Sequence, residues 1–93
     1  SVAWHKADFL KMDIEGFEYD LLTECPWIFD LATNMHIELH IPHLERRALD
    51  YRDVTRLLPF DKFEVHNSYY GTLDPVTADT PLSGYCSLMM KRR

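Results

Sequence analysis

Glycine is scarce: the 93 residues contain only Gly16, Gly71 and Gly84. Three scattered glycines cannot build a glycine-rich loop that cradles a phosphate or a dinucleotide. Cysteine is scarcer still. Cys25 and Cys86 do not make a disulfide framework and are compatible with a reducing compartment. Positive charge is in the minority, with 10 Lys and Arg against 15 Asp and Glu and a net charge of −5. That balance argues against a nucleic-acid partner, which needs a basic face for the phosphates. The only basic run, Lys91-Arg92-Arg93, reads as a solvated tail. No apolar run approaches the roughly 18–20 residues of a membrane span. No leader pattern opens the chain. It starts with Ser1 rather than Met, the expectation for a piece of something longer.

What is present suits one small domain. Hydrophobic residues make up 46% and charged residues 27%, a globular composition. A chain of this length buries only about 60–65% of the surface it exposes unfolded, so its core alone is marginal. Ala7 to Ile14 is strand-sized, with Phe9, Leu10, Met12 and Ile14 as its buried set. Glu15-Gly16 signals a turn. Phe17, Leu21 and Cys25 then fall at helical spacing behind the acids Glu15, Glu18 and Asp20, which suit a helix N-terminus. Pro26 limits that helix.

Met35 to Ile41 alternates with period two and predicts a second strand, ended by Pro42. Leu44, Ala48, Tyr51, Thr55 and Leu58 recur at helical spacing and predict one amphipathic helix, stopped by Pro59. Phe63 to Tyr70 reads as a third strand, Gly71 to Pro81 as a polar loop, and Tyr85 to Met90 as a fourth strand. The order β-α-β-α-β-β implies an α/β fold with a mixed sheet. The expected sheet order is first, second, fourth, third strand. The first two are parallel, and the last, reached without a helix, is antiparallel to its neighbours.

Three groups of residues carry candidate chemistry. Asp13 and Glu15 end the first strand, and in open α/β sheets ligands gather at the carboxyl ends of strands. A carboxylate there accepts hydrogen bonds from a ligand, holds a metal or acts as a base. Glu15 equally serves the following helix through its dipole. His36, Glu38 and His40 share one face of the second strand, with His43 just beyond. All are competent metal ligands, but alternate residues on a strand stand about 6.6–6.8 Å apart, wide for one ion. His66, Asn67 and Tyr69 on the third strand could line a substrate pocket, or simply face water on an edge strand. Cys25 has no positive neighbour in sequence to activate it and reads as a packed helix-end thiol.

The run Phe9-Leu10-Lys11-Met12-Asp13-Ile14-Glu15-Gly16-Phe17-Glu18 with Leu21-Leu22 resembles a signature of FkbM-type methyltransferases. Ile37-Glu38-Leu39-His40 resembles the next strand of that family. The resemblance implies the carboxy-terminal half of a Rossmann-like, class I methyltransferase fold. It therefore implies a single partial domain over residues 1–93, with an N-terminal half of the same domain as its expected partner. S-adenosylmethionine is the implied cofactor, although its glycine-rich turn is absent from this chain, so the chain alone is expected to be inactive. A small-molecule or sugar hydroxyl is the implied acceptor. Asp13 and Glu15 are then cofactor-binding, Asp13 and His40 catalytic, and Glu38, His66 and Asn67 substrate-binding. His40 is the candidate base, because an imidazole ordinarily titrates near operating pH. A divalent metal on Asp13, Glu38 and His40, and a non-catalytic binding or assembly role, remain the alternatives.

Overall fold

A computed structural model of the protein describes residues 7–12 and 18–93. The sequence assigns Asp13, Ile14, Glu15, Gly16 and Phe17 to a strand end and turn; they lie outside the described residues. The described elements are β1 (Ala7–Met12), α1 (Glu18–Glu24), a short 3₁₀ helix (Pro26–Asp30), β2 (Ala32–His40), α2 (Ile41–Arg46), α3 (Tyr51–Thr55), β3 (Phe63–Tyr69), β4 (Thr72–Pro75) and β5 (Tyr85–Arg92). The strands form one mixed sheet in the order β1-β2-β5-β3-β4. β1 and β2 are parallel, with Met12 opposite Ile37. β5 lies between β2 and β3, antiparallel to both. The four strands expected from sequence therefore take the expected order and directions.

The sheet has two unlike faces. Met35, Ile37 and Leu39 of β2 alternate with Leu88 and Met90 of β5 and Phe63 and Val65 of β3 to make an apolar face. Each helical segment adds to the same cluster: Leu22, Phe29, Leu44 and Val54 all pack there. The other face carries Lys11, Asn34, His36, Glu38, Ser87, Met89, Glu64 and His66, each half-buried or exposed. A period of two along every strand separates these sets.

Phe9, expected in the buried set of the first strand, is exposed, and four further expectations about the elements need correction. First, the single helix expected from Leu44 to Leu58 is two helices. Arg47, Ala48 and Leu49 donate backbone N–H groups to Leu44, Glu45 and Leu44 respectively, and Ala48 has a φ of 57°. This is a Schellman ending with alanine at the left-handed position that glycine usually takes. Leu49 then packs on the core, and Asp50 restarts the chain by accepting a hydrogen bond from the Arg52 N–H at 2.9 Å. The apolar period survives the break, so the sequence pattern hides it.

Second, the polar loop contains β4. Tyr70 and Gly71 have φ of 45° and 84°, both positive, as a tight primed hairpin turn requires. Tyr69 pairs with Thr72 across it. Third, Pro42 does not end a strand at Ile41. It occupies the first turn of α2, where a missing N–H leaves no hydrogen bond unmade. Fourth, the basic terminus is not a solvated tail. Lys91 and Arg92 belong to β5. Arg92 donates to the carbonyls of Phe29 and Ala32 and lies 4.5 Å above the Phe63 ring centre.

Arg92 thus ties the end of the last strand to the start of β2. A charge-assisted hydrogen bond contributes about 1.5–3 kcal/mol and a cation–π contact about 0.5–1 kcal/mol. Arg92→Leu is expected to lower the unfolding free energy in urea titration by about 2 kcal/mol, after discounting for partial exposure. Arg92→Lys is expected to recover part of that loss. A wild-type midpoint in the leucine variant would mean that the contact contributes nothing.

Candidate functional site

β1, β2 and β3 run the same way, because β5 is antiparallel to β2 and to β3. Their carboxyl ends share one edge of the sheet with the amino end of β5. Among the described residues, that edge gathers Glu38, His40, His43 and Tyr85. His40 stands directly opposite Tyr85, and Glu38 opposite Ser87. The chain turns sharply from β2 into α2, held by an Ile41 N–H that donates to the Gly84 carbonyl at 3.1 Å. This turn brings His43 back over His40.

The distances define a compact group. The Lys11 ammonium lies 3.6 Å from Oε1 of Glu38, and Nε2 of His40 lies 3.8 Å from Oε2. A half-buried carboxylate on a sheet face is costly without such partners. The His40 ring centre is 5.3 Å from that of His43 and 5.3 Å from that of Tyr85. The rings of His43 and Tyr85 are 5.8 Å apart and nearly perpendicular. His40 is 8% exposed, whereas Tyr85 is largely open. An imidazole held beside a carboxylate can accept a proton and have the resulting charge stabilised.

The other sequence candidates fall into different places. Asp13 and Glu15 lie outside the described residues. His36 is in mid-strand, because β2 begins at Ala32 rather than at the expected Met35. Nδ1 of His43, Nε2 of His36 and Oδ1 of Asn67 are buried without hydrogen-bond partners. β3 is not an edge strand, since β5 and β4 flank it. His66 shares the open face with Glu38, but β5 separates them and their rows differ by two residues. That puts their Cα atoms about 11–12 Å apart. Asn67 belongs to the opposite, helix-covered face. His66 lines a separate groove of about 310 Å³ with Phe9, Asn34, Glu64, Leu73 and Met89. A larger opening of about 500 Å³ beside the α2–α3 turn contains none of these groups. It is the space left by the turn, and the candidate site is taken from the chemistry of the group at the strand ends rather than from volume.

Sequence reasoning noted His43 without giving it a role, and missed Tyr85. His43 could be found by its i+3 spacing from His40 across the start of α2. Tyr85 carries no local signal, because its place depends on the antiparallel register of β5. Among the described residues, no group of three His, Cys, Asp or Glu side chains could hold a metal ion. No helix among them is long and apolar enough to cross a membrane.

Neither thiol joins the site. Cys86 is buried on the core face, where its thiol donates to the Ser83 carbonyl at 3.3 Å, and burial pushes the thiol up. A raised pKa keeps the unreactive thiol form at neutral pH. Alkylation at pH 7 followed by peptide mass spectrometry is expected to modify half-buried Cys25 first and Cys86 only on unfolding. Equal rates under native conditions would contradict the packing around Cys86.

Away from this edge, the Arg47 guanidinium hydrogen-bonds the Asp20 carboxylate and holds it below the usual carboxylate range. The pair links α1 to the α2 terminus. A depressed carboxylate contributes stability above its unfolded pKa, and that contribution is lost as pH falls through the folded value.

Comparison with known proteins gives one match. A family model described as a methyltransferase FkbM domain matches residues 2–69. No curated protein and no solved structure matches the chain.

Proposed function

The chain belongs to the family of FkbM methyltransferase domains, and on that premise we propose that it forms part of an S-adenosylmethionine-dependent enzyme. The reaction is methyl transfer to the oxygen of a small-molecule or sugar hydroxyl. The observation that carries the reading is the Glu38–His40 pair at the carboxyl end of β2, closed over by His43 and Tyr85. His40 takes the proton of the acceptor hydroxyl as its oxygen becomes nucleophilic. Glu38, fixed by Lys11, stabilises the imidazolium and accepts hydrogen bonds from the acceptor. Asp13 follows Met12, whose strand partner is Ile37, and is assigned to the cofactor and to catalysis. Glu15 is assigned to the cofactor and His66 to the acceptor, whereas Asn67, on the helix-covered face, is set aside from the acceptor site.

The described residues do not themselves fit the methyl donor. Only Gly71 and Gly84 lie among the described residues, both at isolated positions of positive φ, so the described residues hold no glycine-rich turn for the donor. The donor's cradle belongs to other residues, which supports reading 1–93 as a single partial domain completed by an N-terminal half. The sheet face that none of the described helical segments covers supports the same reading. So does β1, which has one strand partner among the described residues. In this account the chain is the carboxy-terminal half of a Rossmann-like methyltransferase.

Two measurements test the proposal. Calorimetry should find little or no binding of S-adenosylmethionine by the 93-residue chain; micromolar affinity would overturn the half-domain account. In the completed domain, His40→Gln should cut turnover by about a hundredfold, the usual contribution of a positioned base. Asp13→Asn should cut it by at least about tenfold, or roughly 1.4 kcal/mol of transition-state stabilisation. Wild-type turnover in both variants would remove the strand-end assignment.

A further inference from the structure

Residues 76–84 join β4 to β5, and the sheet order puts those strands on opposite sides of β3. The connection therefore crosses β3 as a strap. It crosses on the helix-covered side, because Val76 is buried in the core and Leu82 packs against it. The strap ends at Gly84. The next residue is Tyr85, whose backbone is paired with His40 and whose ring lies against both His40 and His43. One wall of the candidate site is thus delivered by this connection.

Hydrogen bonds to distant elements seat the strap. The Leu82 N–H donates to the Tyr51 hydroxyl oxygen at 3.2 Å, across 31 residues of sequence. The Gly84 carbonyl accepts from the Ile41 N–H at 3.1 Å. Ile41 stands between His40 and the first turn of α2, so this second bond acts where the chain turns to set His43 over His40. Tyr51 itself opens α3 and is half-buried against the core. The Arg52 guanidinium lies 5.7 Å from its ring centre. A backbone N–H withdrawn from water needs a partner. For Leu82 that partner is a side chain of another element rather than a neighbouring strand.

We propose that Tyr51 is a positioning residue for the strand-end group. Its hydroxyl oxygen latches the strap, and the latched strap, through Gly84, holds Tyr85 and the β2–α2 turn in place around His40 and His43. The latch deepens the proposed function and rests on that reading for its effect on catalysis. Tyr51 acts through the strap and not on the acceptor. Gly84 is the strap's second control point. Its φ is 69° and an added Cβ would meet nothing within 4 Å, so an alanine there is opposed by backbone conformation alone.

Residue-resolved amide exchange on the full chain tests the latch. Ile41 and Leu82 should share one opening that is easier than the global unfolding read at Leu88. Tyr51→Phe keeps the ring and removes the acceptor. It should speed exchange at both amides by about fivefold, the worth of one neutral hydrogen bond. Acceleration at Leu82 alone, at neither amide, or exchange of Ile41 only with Leu88 overturns the latch. If Tyr51→Phe fails to fold by circular dichroism, Gly84→Ala reads the strap from its other end. It should speed the same two amides, and Gly84→Asn should restore them, because asparagine tolerates positive φ; no acceleration in Gly84→Ala overturns the latch. In the completed domain Tyr51→Phe should lower kcat by about tenfold, short of the roughly hundredfold that a 1 Å misplacement costs. On a His40→Gln background it should cost little more, because the group it positions is gone. An equal loss on both backgrounds, or none on either, overturns the positioning role. The enzymatic reading fails separately. Coupled exchange of Ile41 and Leu82 in a completed domain that transfers no methyl upholds the latch and removes the enzyme. Methyl transfer with Ile41 unmoved in Tyr51→Phe does the reverse.

Discussion

The rest of the structure depends on the insertion of β5 between β2 and β3. Two strands that run the same way cannot be joined by a short connection. β2 and β3 meet through a third strand that runs against both, and that strand is the last in the chain. Leu88 and Met90 complete the apolar face on which all the helical segments pack. Arg92 then secures the far end by reaching the carbonyls of Phe29 and Ala32. Until β5 is in place, β3 and β4 are a hairpin with half of their apolar face open, and the sheet on the β2 side ends at β2.

The same insertion builds the candidate site. Its antiparallel register sets Tyr85 against His40 and Ser87 against Glu38. The sharp entry into α2 folds His43 over both rings. A carboxylate that would be costly on an apolar face is tolerable here, because Glu38 sits on the face opposite the described helical segments, between Lys11 and His40. The alternation that makes a core on one side thus places titratable groups on the other, at the edge where parallel strands end.

Much of this was legible in the sequence, for identifiable reasons. Period-two alternation from Met35 to His40 announced β2 and its polar face. The absence of a helix before Tyr85 announced an antiparallel last strand. Local chemistry that breaks its usual signals was not legible. Ala48 ends a helix in a conformation glycine normally takes, and Tyr70-Gly71 makes a hairpin without the common Asn-Gly pair. Arg92 looked like part of a tail because its partners are 60 and 63 residues away. Tyr85 was invisible as a site residue for the same reason: only pairing distant in sequence brings it to His40. His36 and Asn67 depended on which face was covered, which a single strand does not reveal.

Hydrogen exchange resolved by residue tests the central role of β5 most directly. The account predicts that the amides of Leu88, Met89 and Met90 exchange only through global unfolding, and that the paired amides of β2 and β3 exchange with the same free energy. Protection of β2 that persists while β5 exchanges freely would contradict it, because β2 would then be held without the strand on which the sheet, the core and the site are here made to depend.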